Sequence, residues 1–189
     1  VERVDPAPVV GRIIGAAGLI IESAGPKAKL NELCWLRGDG RAVAAEVVGF
    51  RDEKLLLMPL GETDGIRPGW SVYATGGPLK APIGPGLLGR VIDGLGNPQD
   101  GKGPLEDCTQ RPVLGQPPAP LSRQRIKRPL PLGVRALDAL LTVGMGQRIG
   151  IFAGAGVGKS TLLGMIARAT AADCSVVCLV GERGREVRE

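Results

Sequence analysis

The residues with the most chemistry in them form one run, Ala153-Gly154-Ala155-Gly156-Val157-Gly158-Lys159-Ser160-Thr161. Glycines at this spacing let successive backbone N–H groups turn inward around an anion. Lys159 would place a positive charge on terminal phosphates, and the neighbouring Ser160 hydroxyl could hold Mg²⁺. The run predicts a site for a nucleoside triphosphate, or descent from a protein that binds one. Its candidate binding residues are Gly154, Ala155, Gly156, Val157, Gly158, Lys159, Ser160 and Thr161, with Lys159 also catalytic and Ser160 the metal ligand. The strict motif opens on glycine; Ala153 stands there instead, a variant that many phosphate-loop families accept.

A second group of charges follows about one βαβ unit later, Gly181-Glu182-Arg183-Gly184-Arg185-Glu186. In open α/β sheets ligands sit at the carboxyl ends of the strands. A right-handed crossover would bring Glu182 and Arg183 beside the terminal phosphate. A carboxylate there can orient an attacking water, and a guanidinium can stabilise charge on the transferring phosphoryl group. The chain contains no histidine, so a general base must be a carboxylate or, failing that, a cysteine.

The elements that must position these groups are readable from periodicity. Residues 148–152 read as a short buried strand entering the loop, and Leu162, Leu163, Ile166, Ala167 and Ala169 recur at helical spacing after it. Residues 133–141 read as a short helix with Val134, Leu137 and Leu141 on one face. The β-branched run 175–180 reads as a central parallel strand buried on both faces.

Residues 1–79 have a different texture. Six short apolar runs, at 9–15, 19–23, 33–36, 42–50, 55–59 and 70–74, alternate with Gly, Pro and Asp turns. This predicts a small closed β-barrel. Gly76-Gly77-Pro78-Leu79-Lys80-Ala81-Pro82 marks a change of composition, so the expected division is a barrel over 1–79 and a phosphate-loop domain over 80–189. Residues 83–93 contain an apolar run and 94–101 a turn-rich loop. Residues 103–131 are Pro-rich and read as a strap lying over another element or as a linker, the strap being favoured. Arg123, Arg125, Lys127 and Arg128 within it read as a solvated face, or as an intersubunit or acidic-partner contact.

Bulk properties exclude several classes. The 189 residues are 43% apolar, enough for a core. There is no apolar run long enough to cross a bilayer and no secretory signal. The four cysteines form no Cys-x-x-Cys pair, which with the absence of histidine argues against zinc and fits a reducing cytoplasm. The net charge of +5 is uneven, because residues 1–79 are near neutral and the remainder carries the excess. The chain starts at Val1 rather than Met and stops inside a charged motif, which reads as a piece of a longer protein.

At this point the sequence resembles the flagellar and type III secretion export ATPases, relatives of the catalytic subunits of rotary ATP synthases. The likeness covers nearly the whole chain. It rests on residues 85–98, 133–144 and 146–148, on the phosphate loop from Phe152 to Ser160, and on Gly181-Glu182-Arg183-Gly184-Arg185-Glu186-Val187. Ala153 is normal in the export branch, and the loop as a whole leans to the flagellar side.

The resemblance implies a six-stranded barrel followed by an α/β RecA-like P-loop domain, incomplete at its C-terminus here. It implies a homohexameric ring hydrolysing ATP with Mg²⁺ at subunit interfaces. It further implies a cytoplasmic protein peripheral to the inner-membrane export gate, with regulators and chaperones as partners and no nucleic acid. By motif position Lys159 would hold phosphates, Ser160 the Mg²⁺, Glu182 the water and Arg183 the γ-phosphate. The family's second acidic Mg²⁺ residue, arginine finger, adenine contacts and helical domain would lie beyond Glu189.

Two rivals remain. A ring-shaped RNA translocase of the transcription-terminator type also places a small barrel before a RecA-like core, but would need stacking aromatics and a basic groove. The barrel region offers only Trp35, Phe50, Trp70 and Tyr73 and little net charge. A non-catalytic rotary subunit would be expected to carry a residue other than Glu182 at the water-positioning site.

Overall fold

The structure is a computed structural model that describes residues 9–154 and 156–181. The chain divides into two compact units, Val1–Pro117 and Pro118–Glu189.

The first unit is built on six strands: β1 (Gly11–Ala17), β2 (Ile20–Ala24), β3 (Glu32–Gly38), β4 (Arg41–Arg51), β5 (Lys54–Pro59) and β6 (Ser71–Pro78). They close into an antiparallel barrel in the order β1-β2-β5-β4-β3-β6, with β6 returning to β1. All six expected runs became these strands. Alternation decides which side chains fill the interior. Ile13, Ile21, Cys34, Leu36, Val43, Ala45, Val47, Leu55, Leu57 and Val72 point inward and are buried. Each Leu or Val so buried contributes about 1.5–3 kcal/mol. Register breaks at Ile13/Gly15, Glu32/Cys34 and Val47/Gly49 add the local bend that a narrow barrel needs.

Two hairpins set the register. Asp39 and Gly40, both at positive φ, make the two-residue link between β3 and β4 that matches strand twist. Asp52 and Glu53 adopt the same handedness between β4 and β5 without glycine. Trp70 closes one part of the core at 4% exposure. Its indole lies so close to Gly38 that a Cβ there would stand 2.3 Å from the ring. The Trp70 Nε1–H donates to Asp39 Oδ2 at 3.1 Å, and Arg67 donates to both oxygens of Asp39 at 2.7 and 3.0 Å. These bonds lower the pKa of Asp39 from its ordinary value, the Arg67 bond contributing most. Glu32, nearly buried, accepts N–H bonds from Lys29 and Gly76. Buried Cys34 has its thiol pushed up to about 11, by burial first and then by the charge of Glu32.

Beyond the barrel, β7 (Lys80–Ile83) pairs with β8 (Thr109–Pro112) across a long loop. The expected apolar run there is a 3₁₀ turn over Pro85–Leu87 followed by partly exposed chain. Charge orders this loop. Arg90 forms a fork with Asp100 at 2.7 and 3.1 Å, both side chains nearly buried, and also donates to the carbonyls of Gly103 and Pro104. Asp100 accepts from the N–H groups of Val91 and Lys102 as well. The Arg90 bond, with these two, drives its pKa far down. Asp93 gathers the Leu95 and Asn97 N–H groups into a turn.

The second unit contains α1 (Arg135–Leu140) and α2 (Lys159–Ala169). Both expected helices are present, although Leu141 is exposed rather than packed beside Val134 and Leu137. Two expected strands are not formed. Residues 148–152 and 175–180 carry no strand pairing, and Phe152, Val176 and Val180 are 97%, 93% and 83% exposed. A central parallel strand is made by its neighbours, with hydrogen-bond partners on its edges and helices over its faces. The described part of this unit supplies two helices of 6 and 11 residues and no run that pairs with either segment. For the Pro-rich stretch the linker reading holds rather than the favoured strap. Residues 113–129 are exposed throughout, and the division between the compact units falls within them, so they act as a connection. No helix among the described residues is long and apolar enough to cross a membrane.

Candidate phosphate-binding site

Residues 156–158 turn into α2 through Gly158, whose φ of 95° and ψ of 22° are left-handed. Gly156 also has a positive φ, 77°. A side chain at either position would be strained, which explains why glycine stands there. A Cβ added to Gly154, Gly156 or Gly158 would meet no atom within 4 Å, so the loop is open where an anion would approach. No side chain caps α2 at Gly158. The first turn opens directly on Lys159 and Ser160, both half-buried, with Thr161 exposed behind them. The positive end of an 11-residue helix thus lies at the loop, where anions are favoured.

What aims this helix lies at its other end. The Thr170 hydroxyl and the Ala171 N–H both donate to the Pro131 carbonyl, at 3.3 and 3.0 Å. Gly133 approaches Ala169 so closely that a Cβ would sit 2.4 Å from the Ala169 methyl. Asp138 of α1 accepts the N–H groups of Leu132 and Gly133 at 2.8 and 3.0 Å. Asp138 therefore fixes residues 131–133, which clasp the C-terminal end of α2. Sequence reading found α1 but gave Asp138 no role. The available signal was a carboxylate a few residues beyond a glycine, the spacing at which a side chain can gather backbone N–H groups.

The structure brings Gly154, Gly156, Val157, Gly158, Lys159, Ser160 and Thr161 together at one loop–helix junction. Ala155, Glu182 and Arg183 lie outside the described residues. Among the described residues no group of three His, Cys, Asp or Glu could hold a metal. The Ser160 hydroxyl is the described group that would hold a Mg²⁺ ion here, together with ligand phosphates and waters, as this hard, strongly hydrated cation is commonly bound. The hydroxyl's position in the first helical turn fits that role.

Comparison with known proteins gives two matches to one family. Residues 13–76 match the beta-barrel domain of the ATP synthase alpha/beta family, and residues 133–189 match its nucleotide-binding domain. The flagellum-specific ATP synthase of Bacillus subtilis is 50% identical over 192 residues, covering 100% of this chain and 44% of the relative. The type 3 secretion system ATPase of Xanthomonas euvesicatoria is 50% identical over 181 residues, covering 95% of this chain and 41% of the relative. The solved structure of the assembled ATPase EscN from the enteropathogenic E. coli type III secretion system superimposes with a TM-score of 0.85 at 44% identity, covering 94% of this chain and 43% of that one. The chain thus spans less than half the length of the relatives it matches.

Proposed function

Because the chain belongs to the ATP synthase alpha/beta family, we propose that it carries the barrel and the phosphate-binding half of an ATPase that energises flagellar or type III protein export. The observation that carries this reading is the open loop entering α2 through left-handed Gly158, with Lys159 and Ser160 in the first turn. The division of labour follows the motif. Backbone N–H groups of 154–158 and the Lys159 ammonium hold the phosphates. Ser160 holds Mg²⁺, which supplies charge neutralisation between the β- and γ-phosphate oxygens when bound. Glu182 orients the attacking water, and Arg183 stabilises charge on the γ-phosphate.

The whole protein would work as a homohexameric ring in the cytoplasm, peripheral to the inner-membrane export gate, with export regulators and chaperones as partners. The proposed domain division remains a barrel over 1–79 and a nucleotide domain over 80–189. Equal identity to a flagellar and a secretion relative leaves both export branches open at this level of similarity. An RNA-translocating reading is disfavoured because the relatives the chain matches are named as flagellar and type 3 secretion ATPases, and Trp70, one of the four barrel aromatics, is buried and hydrogen-bonded where it cannot stack on a base.

Glu182→Gln in the full-length protein tests the hydrolytic assignment. The amide keeps the shape and loses the charge that polarises water, so phosphate release should fall by at least about a hundredfold while nucleotide affinity is kept. A variant that retains its rate removes Glu182 from the mechanism.

A further inference from the structure

One short stretch of backbone, residues 128–133, holds both arms of the phosphate loop. On the incoming side it pairs with 143–145. The Leu130 N–H donates to the Val143 carbonyl at 2.7 Å and the Met145 N–H to the Arg128 carbonyl at 2.9 Å, around a bridge between Pro129 and Gly144. The chain then turns at Gln147 and runs on into the loop. The Gln147 N–H donates to the Gly144 carbonyl at 2.9 Å, and its Oε1 accepts the Gly144 N–H at 2.8 Å. On the outgoing side Pro131 accepts from the Thr170 hydroxyl and the Ala171 N–H, and Gly133 abuts Ala169. Leu132, in the middle of this contact, is the only fully buried residue among the described residues of its unit.

Asp138 belongs to neither arm, yet it fixes the stretch that joins them. Its Oδ1 accepts the Leu132 N–H and its Oδ2 the Gly133 N–H. Two acceptors for two adjacent donors set the direction of the backbone as well as its position. Gly133, at a φ of 74°, then lies so near Ala169 that any added side chain would collide with it. Movement of residues 131–133 toward α2 therefore moves the helix. The 11 residues of α2 span about 16 Å, so a tilt of about 4° at the clasped end displaces Lys159 and Ser160 by about 1 Å. Shifts of that size in groups that hold a ligand are costly.

We propose that Asp138 is a positioning residue of the phosphate site. Through residues 131–133 it sets the tilt of α2, and with it the place of Lys159 and Ser160 against the phosphates, without touching the ligand. This rests on the phosphate-site assignment above and adds to it a residue that lies outside the motif.

Titration of the intact chain with a fluorescent ATP analogue and Mg²⁺ tests this, with circular dichroism reporting the helices of each variant. In Asp138→Asn the amide keeps one acceptor and turns an N–H toward the second donor. Affinity should fall by roughly three- to tenfold. Thr170→Val removes one of the two bonds to Pro131 and should act in the same direction. The double variant should lose less than the product of the two losses, because both release one clasp. Leu137→Ala trims α1 away from the carboxylate, so it should lower the thermal midpoint while affinity holds. Asp138→Asn that binds as tightly as wild type overturns the proposal. So do losses that multiply in the double variant, or a Leu137→Ala that loses as much affinity as Asp138→Asn, which would make Asp138 a stabilising residue only. If Asp138→Asn does not fold, Thr170→Val decides, since it keeps the Ala171 bond to Pro131, and its unchanged affinity overturns the proposal. Lys159→Ala in the same titration separates the two claims. If it is weakened while Asp138→Asn is not, the clasp alone fails; if it binds like wild type, or the wild type does not bind, the phosphate-site assignment fails with it.

Discussion

At the scale of single residues the phosphate loop and three carboxylates carry different kinds of argument. Asp39, Asp93 and Asp100 all have pKa values held below the ordinary carboxylate range, by Arg67, Asn97 and Arg90 respectively as the leading cause. A lowered folded-state pKa means that the folded form binds fewer protons. The stability each contributes is complete above the unfolded carboxylate value, about 3.9, and is lost as pH falls through the lowered folded value. Thermal unfolding of the first unit should therefore change little from neutral pH down to about 5 and fall steeply below about 4. Asp100→Asn should flatten the acid limb and lower stability at neutral pH, because Arg90 keeps its nearly buried site without its charge partner.

The same scale shows what the sequence could reveal. The phosphate-loop residues were legible because backbone geometry demands glycine at Gly156 and Gly158, and chemistry demands Lys159 and Ser160. Asp138 and the Arg90–Asp100 fork were not. Their partners are mainly backbone groups or residues ten positions away, and ordinary surface charges look identical in a sequence.

At the scale of elements, alternation and turn chemistry made the barrel legible. The inward set in β3 and β5 repeats every second residue, and Asp39-Gly40 names its own turn. The β7–β8 pairing was not legible, since its two strands are four residues each, separated by 25 residues, and carry no alternating burial. The runs at 148–152 and 175–180 were legible as apolar but not as strands in place, because their burial depends on neighbours rather than on their own composition. Gly38 offers the sharpest test of element packing. A valine there would drive a methyl group into the Trp70 indole and displace it from the core. Gly38→Val should cost about 1–3 kcal/mol and expose Cys34 to a thiol reagent that the native barrel excludes. A variant with unchanged denaturant midpoint and a protected Cys34 would show that Trp70 is not held against β3 as described.

At the scale of the whole molecule, the chain carries a closed six-strand barrel and, over residues 133–189, a match to a nucleotide-binding domain. The chain spans less than half the length of the ATPase relatives it matches, and in phosphoryl-transfer sites a single arginine finger is worth about 10³–10⁵ in rate. The 189-residue chain should accordingly release phosphate from ATP at a rate close to the buffer blank in a malachite-green assay. Turnover comparable to that of a full-length protein would mean that the residues within 1–189 suffice for hydrolysis, and the division of the site proposed here would fail.

The central claim is that the loop ending in Gly158 and α2 is a phosphate site with Lys159 as its charge. Titration of the chain with a fluorescent ATP analogue in the presence of Mg²⁺ tests it most directly. The account predicts saturable binding that Lys159→Ala weakens by at least about tenfold, as expected when a charge-assisted contact to phosphate is removed, and that excess inorganic triphosphate displaces. Binding that is indifferent to Lys159→Ala, or no binding by a chain whose barrel is folded, would contradict it.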